Sequence, residues 1–189
     1  MTHFPCKTFF LSRGFTLCAG LLLLQLSVGG GSAHAQCFSG GGFSEEDSAL
    51  VVRQMMDLEQ YTDAFKEAEC YLKEHPEGQF LEEFRFTQAE ALRHETEFAK
   101  GNPRPVLQRY TDFLESNPKH PKFREPALLH QGELSLRLNE FASAKGALRQ
   151  LLKDYPDTTS ANRAHFGLGR AAFYLGSRIQ KQQGEDTAQ

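Results

Sequence analysis

Tryptophan is absent from this chain, and cysteine is scarce, with four in 189 residues. No CxxC or HExxH occurs and no other paired Cys/His spacing is present, which excludes the usual zinc frameworks. Neither GxSxG nor a phosphate-cradling glycine loop is found, so the common nucleophile and nucleotide sites are missing as well. Lys/Arg runs are also lacking, and 24 acidic residues outnumber 21 basic ones. That balance gives no electrostatic footprint for nucleic acid. Past Val28 there is no apolar run long enough to span a bilayer, which takes about 20 residues. Phenylalanine, by contrast, is plentiful at 16.

Acidic residues are missing from the whole stretch before Glu45. That stretch has a basic start (Lys7, Arg13), an apolar run from Phe15 to Val28, small residues from Gly29, and then Ala33-His34-Ala35. This is the order of a secretory signal peptide, and the expectation is cleavage after Ala35. The exported chain, Gln36–Gln189, is periplasmic or secreted on this reading. Cys37 follows Gln36 and has His34 three places before it, while Cys18 follows Leu17; neither fits a lipid-attachment pattern, so lipidation is not expected. Residues 36–43 read as a flexible Gly-rich linker, 44–183 as a helical repeat domain and 184–189 as a polar tail.

Two cysteines, Cys37 and Cys70, remain after cleavage. In an oxidising compartment they are candidates for one disulfide, although spacing alone gives no test of distance. Cys70 falls where the other repeat copies carry Asp112 and Gln150, so an exposed position is expected for it.

Three short stretches repeat one another: YLKEHP at 71–76, FLESNP at 113–118 and LLKDYP at 151–156. Their prolines, Pro76, Pro118 and Pro156, recur about every 40 residues, a period that belongs to stacked helical arrays. Ser44 reads as an N-cap ahead of Glu45, Glu46 and Asp47. Upstream of Pro156, Ala144, Ala147, Leu148, Leu151, Leu152 and Tyr155 share one helical face. Val106, Leu107, Tyr110, Phe113 and Leu114 do the same before Pro118, with Asn102 as cap and Pro103 in the first turn. Ala64, Phe65, Ala68, Tyr71 and Leu72 form the face before Pro76. Each of these second helices follows a first helix, clearest at 126–138 and 162–176. Counting from the prolines places Gly132, Gly169 and Ala89 at a common position where two helices approach closely; Gly costs about 0.8–1.0 kcal/mol against Ala in a helix.

The spacing of Gly132, Ala144 and Pro156 resembles that of the glycine, alanine and proline of the tetratricopeptide repeat, over roughly residues 44–176. Leu128 stands where the family's tryptophan would be. The resemblance implies an all-α fold: a TPR-like right-handed α-solenoid of antiparallel helix pairs, about three and a half repeats long. Longer repeats ending in Tyr-Pro, followed here by Asp157-Thr158-Thr159-Ser160, are similar to those of bacterial periplasmic proteins. Two groups are nearest, the outer-membrane assembly lipoproteins and the Tol–Pal coordinators. The lipid-attachment pattern of the first is missing, and residues 36–60 are too short for the N-terminal coiled coil of the second.

The resemblance also implies a partner-binding groove lined by the first helices. By register that groove takes Arg53, Met56 and Asp57, then Phe86, Glu90 and Arg93. Leu129, Glu133 and Arg137 follow, and Arg170, Phe173 and Tyr174 close it. Phe and Arg are typical of interface hot spots, although Phe86 and Phe173 could equally pack between repeats. Among the histidines, His75 and His120 are expected at helix C-termini, and His130 and His165 in packing roles. Glu82, Glu83 and Glu90 read as a solvated face. These features point to a non-catalytic adaptor for a protein of the cell envelope, with no cofactor, metal or nucleic-acid partner implied. A structural subunit using its outer helices, around Arg109 or Arg149, is the alternative.

Overall fold

The computed structural model describes residues 43–186; the leader and nearly all of the expected linker lie outside them. Seven helices follow one another, with no strand among the described residues: α1 Glu45–Asp57, α2 Tyr61–Glu74, α3 Leu81–Phe98, α4 Arg104–Glu115, α5 Pro121–Arg137, α6 Phe141–Asp154 and α7 Ala161–Asp186. Each packs on the next, and α3 meets α5 as α5 meets α7. The arrangement is a TPR-like α-solenoid in which the first helices α3, α5 and α7 form one continuous layer. The helix expected to end at residue 183 runs on to Asp186.

Local sequence accounts for the helix ends. Ser44 and Asp47 close a capping box, each side chain accepting the other's backbone N–H. The Asn102 side chain accepts the Arg104 N–H at 3.0 Å, and Pro103 already has helical dihedrals, so the expected cap stands one residue before the assigned helix limits. Three first helices end alike. Glu59, Lys100 and Asn139 each take a positive φ, of 58°, 51° and 59°. The next N–H in each case reaches back to the last turn, Gln60 to Met55, Gly101 to Thr96 and Glu140 to Ser135. That is the Schellman closure, here made without glycine at the left-handed position.

The core lies in three clusters, one for each helix pair and its neighbour. Tyr71 and Phe84 stack in the first, at 3.8 Å between centroids. Val106, Tyr110 and Phe113 of α4 anchor the second. Leu148 and Leu151 of α6 anchor the third. The apolar faces expected before each proline are the faces buried, with Phe65 and the outermost residues of each face only partly covered.

Leu148 fixes the register of the last repeat. A Cβ added to Gly132 would lie 2.5 Å from its side chain, and one added to Gly167 also 2.5 Å. Both glycines therefore admit the same leucine, from α5 on one side and α7 on the other. Gly169, expected in that role, is exposed and has nothing within 4 Å of an added Cβ. Counting from the prolines fails in the last repeat: Ala89 and Gly132 stand 13 and 14 residues after Pro76 and Pro118, but Gly167 only 11 after Pro156. α5 differs in another way, with an additional first turn entered at Pro121 and with Pro126 inside the helix. α7 has no such turn. The equivalent positions are thus Val52, Ala89, Gly132 and Gly167.

That register exposes a recurring tie that the composition hides. Two turns before each of these positions stand Glu45, Glu82, Glu125 and Ser160. Glu45 accepts the Tyr71 hydroxyl at 2.5 Å and the Gln79 N–H at 2.9 Å. Glu82 accepts the N–H groups of Lys119 and His120 at 2.9 and 3.0 Å. Glu125 accepts the Thr158 hydroxyl at 2.5 Å. One carboxylate near the head of α1, α3 and α5 thus holds the loop that leads to the next first helix. Its charge strengthens bonds to N–H groups that would otherwise have no helical partner.

Candidate functional site: the first-helix cleft

The residue that follows each register position carries the next layer of structure. Arg53 reaches from α1 to Glu83 of α3 at 2.5 Å, Glu90 of α3 to His130 of α5 at 3.5 Å, and Glu133 of α5 to Arg163 of α7 at 2.7 Å. Each first helix is tied to the next through this one position. Three expected groove residues, Arg53, Glu90 and Glu133, therefore have structural partners, and Glu82, Glu83 and Glu90 are not a solvated face.

Glu90 is the centre of the network. Its side chain is 13% exposed, and it accepts hydrogen bonds from the Tyr110 hydroxyl and from Arg93, the latter at 2.7 Å. Burial pushes the Glu90 carboxyl up, but Arg93, Tyr110 and His130 outweigh it and hold it below the usual carboxylate range. Burial likewise raises Glu133, and His130 and Arg163 bring it below its ordinary value. Tyr110, fully buried, is raised by desolvation and by the Glu90 charge. His94 is lowered by its burial and by Arg93 beside it. His130 stands between Glu90 and Glu133, at 3.5 and 3.8 Å, so it has polar neighbours in addition to the expected packing.

Above this network opens a cleft of about 320 Å³ between α3, α5 and α7. Arg93 and Glu97 line it from α3, His130, Glu133 and Arg137 from α5, and Arg163, Phe166 and Arg170 from α7. Four guanidinium groups face two carboxylates, so the cleft is cationic in a chain whose net charge is −3. Arg93 is held by Glu90 and Glu97, and Arg163 by Glu133. Arg137 has only a loose contact, 3.9 Å to Glu97, and Arg170 makes no ion pair among the described residues. These last two charges are the ones left for a ligand.

Of the residues expected to line a groove, Arg93, Glu133, Arg137 and Arg170 come together here. Phe173 and Tyr174 lie farther along α7, in a shallow depression that adjoins the cleft and shares Phe166 and Arg170 with it. Leu129 is a correction: it is 3% exposed and belongs to the core, because the face assigned to it by spacing turns inward onto α6. Phe86 is another. Its ring packs against Tyr110, Phe113 and Phe123, with centroids 5.5–6.4 Å away, so it joins repeats. Arg53 lines a different cleft, between the loops that precede α3 and α5. Met56 is half-buried against the first core cluster, and Asp57 is exposed at the end of α1.

Sequence spacing missed Phe166 and Arg163, which stand one and four residues before Gly167, positions that the register of the other copies did not assign to the groove. His75 caps the C-terminus of α2 as expected. His120 instead caps the N-terminus of α5, its Nδ1 accepting the Lys122 N–H. His165 is exposed, which does not fit the packing role expected for it. Cys70 is half-buried and disulfide-bonded; Cys37, its expected partner, lies outside the described residues. No group of three or more His, Cys, Asp and Glu that could hold a metal ion occurs among the described residues, and none of their helices is long and apolar enough to cross a membrane.

A comparison with known families matches one segment of this architecture. Residues 126–158 match the tetratricopeptide repeat. The match opens at Pro126, after the additional first turn of α5, and runs through α6 to the loop held by Glu125. It therefore coincides with one helix pair of the array, the pair whose Gly132 admits Leu148. Tetratricopeptide repeats are protein-interaction modules, and this one supplies the middle wall of the cleft. No curated protein and no solved structure matches the chain.

Proposed function

We propose that this protein is a non-catalytic adaptor, exported across a membrane, that holds a segment of a cell-envelope protein in the cleft between α3, α5 and α7. One observation carries the reading: Arg137 and Arg170 flank an accessible cleft with Phe166, 70% exposed, on its wall. Unspent charge beside an exposed aromatic ring is the composition of a binding hot spot. Export is supported by the leader pattern of residues 1–35. In an oxidising compartment a Cys37–Cys70 bridge would tie the segment before α1 to α2. The non-catalytic reading is supported by the state of the acidic and basic groups around the cleft. Glu90, Arg93, Glu133 and Arg163 neutralise one another, which serves stability and gives no group poised to accept a proton.

The test is affinity capture from envelope extracts with the exported protein, comparing wild type with Arg137→Ala plus Phe166→Ala and with Arg149→Ala on the outer side. A partner held in the cleft is lost from the first variant and kept by the second. Identical capture by all three proteins would sink the assignment. N-terminal sequencing of the exported chain gives Gln36 if the leader is cleaved as expected.

A further inference from the structure

The face of α7 turned away from α5 and α6 has no cover among the described residues. Ala164, Gly167 and Ala171 turn inward, while Phe166 and Phe173 stand on the opposite side, each 70% exposed. They are two turns apart and so lie on one stripe. Gly169 and Gly176 flank that stripe, and an added Cβ at either would meet nothing within 4 Å. Each glycine weakens the helix, yet no contact among the described residues requires it. With Tyr174 and Arg170, the two phenylalanines border a depression of about 420 Å³. Bulky rings alternating with bare backbone make ridges and grooves that another helix can fill.

Charge selects the occupant. From Ala161 to Gly184, α7 contains Arg163, Arg170, Arg178 and Lys181 and no Asp or Glu. Arg163 is paired with Glu133 and Arg178 lies over the Phe141 ring, but Arg170, at the edge of the stripe, has no ion pair among the described residues. A second copy of α7 would set these same cations against one another. We propose that this outer face of α7 docks an acidic amphipathic helix of a partner protein. Its apolar side chains seat between Phe166 and Phe173 over Gly169, and a carboxylate meets Arg170. The inference rests on the adaptor reading and extends it onto the adjoining face of α7, which shares Phe166 and Arg170 with the cleft, and it adds the partner's form and charge.

The experiment titrates the exported protein with two synthetic helical peptides that share one leucine stripe, flanked by glutamate in one and by lysine in the other. The glutamate peptide binds, and the lysine peptide binds at least about tenfold more weakly, the effect of turning one or two exposed attractions into repulsions. Phe166→Ala with Phe173→Ala removes binding. Gly169→Gln weakens it without lowering the thermal midpoint, which separates docking from folding. Equal binding of the two peptides, or none by the glutamate peptide, overturns the proposal. So does a solution dimer that the Phe166→Ala/Phe173→Ala variant dissolves, since the face then belongs to a second copy. Binding lost on Arg93→Ala plus Arg137→Ala but kept on Phe173→Ala also overturns it, while leaving the cleft reading intact.

Discussion

Replacing Glu90 by alanine removes the one carboxylate that serves α3, α4 and α5 together. The loss has two parts. Tyr110, 0% exposed, is left with a buried hydroxyl and no acceptor, which costs about 1–3 kcal/mol. Arg93, with a side chain 15% exposed, loses its nearest counter-ion. Breaking a buried pair by removing one partner costs about 3–5 kcal/mol. Here the upper end does not apply, because Arg93 keeps Glu97 at 3.0 Å, itself 47% exposed. The two parts also overlap, since both describe the desolvated centre of one network. The expected loss is about 3 kcal/mol, which lowers the urea midpoint by about 1–2 M at ordinary denaturant sensitivity. Glu90→Gln, which can still accept from Tyr110, loses about half as much. Far-UV circular dichroism during urea titration measures all three proteins. A cycle with Tyr110→Phe gives a coupling of about 1–2 kcal/mol, because the phenylalanine leaves no hydroxyl to orphan. A midpoint shift in Glu90→Ala worth less than about 1 kcal/mol, or strictly additive effects, would refute the network as the joint between these helices.

Gly132→Ala and Gly167→Ala each push a methyl against the buried Leu148 and should destabilise by about 1–2 kcal/mol after the helix-propensity gain. Gly169→Ala, with open space around it, should raise stability by up to about 1 kcal/mol in the same titration. Lys100→Gly relieves a left-handed residue at the end of α3 and should stabilise by about 0.5–1 kcal/mol; a loss would contradict the closure described. The Tyr71 phenol is pushed up to about 12 by burial and by Glu45, against an ordinary value of about 10. A raised native value means this stabilisation is whole below about pH 10 and disappears as pH climbs through the native value. Ultraviolet titration of wild type against Tyr71→Phe should therefore lose a late-ionising tyrosine. At the acid end, Glu90 and Glu133 are lowered, so their contribution is complete above the ordinary carboxylate range and is lost as pH falls through their native values.

The helices and their buried faces were legible because apolar spacing at one helical period is a local property of the chain. The prolines of 71–76, 113–118 and 151–156 marked the second helices well for the same reason. Register along the first helices was not legible to the same depth. It depends on how far into each helix the close-packed position falls, and that distance is eight residues from the start of α3 but six from the start of α7, with no gap in the pattern to mark it. That one shift put Gly169 in the place of Gly167. Glu90 was misread for a different reason: its partners Tyr110 and His130 are each 20 or more residues away, and a carboxylate on a charged helix looks solvated until those distances are known. Leu129 went wrong, and Phe86 stayed open between two roles, because spacing names a face of a helix but not which neighbour covers it.

The central claim, that a partner lies in the cleft of α3, α5 and α7, is tested most directly by site-specific photo-crosslinking in the living cell. A photoreactive side chain placed at Arg137 in the cleft is compared with one at Arg149 on α6. The account predicts a defined heterologous adduct from position 137 and none from position 149. Adducts from position 149 alone would contradict it and move the contact to the outer helices.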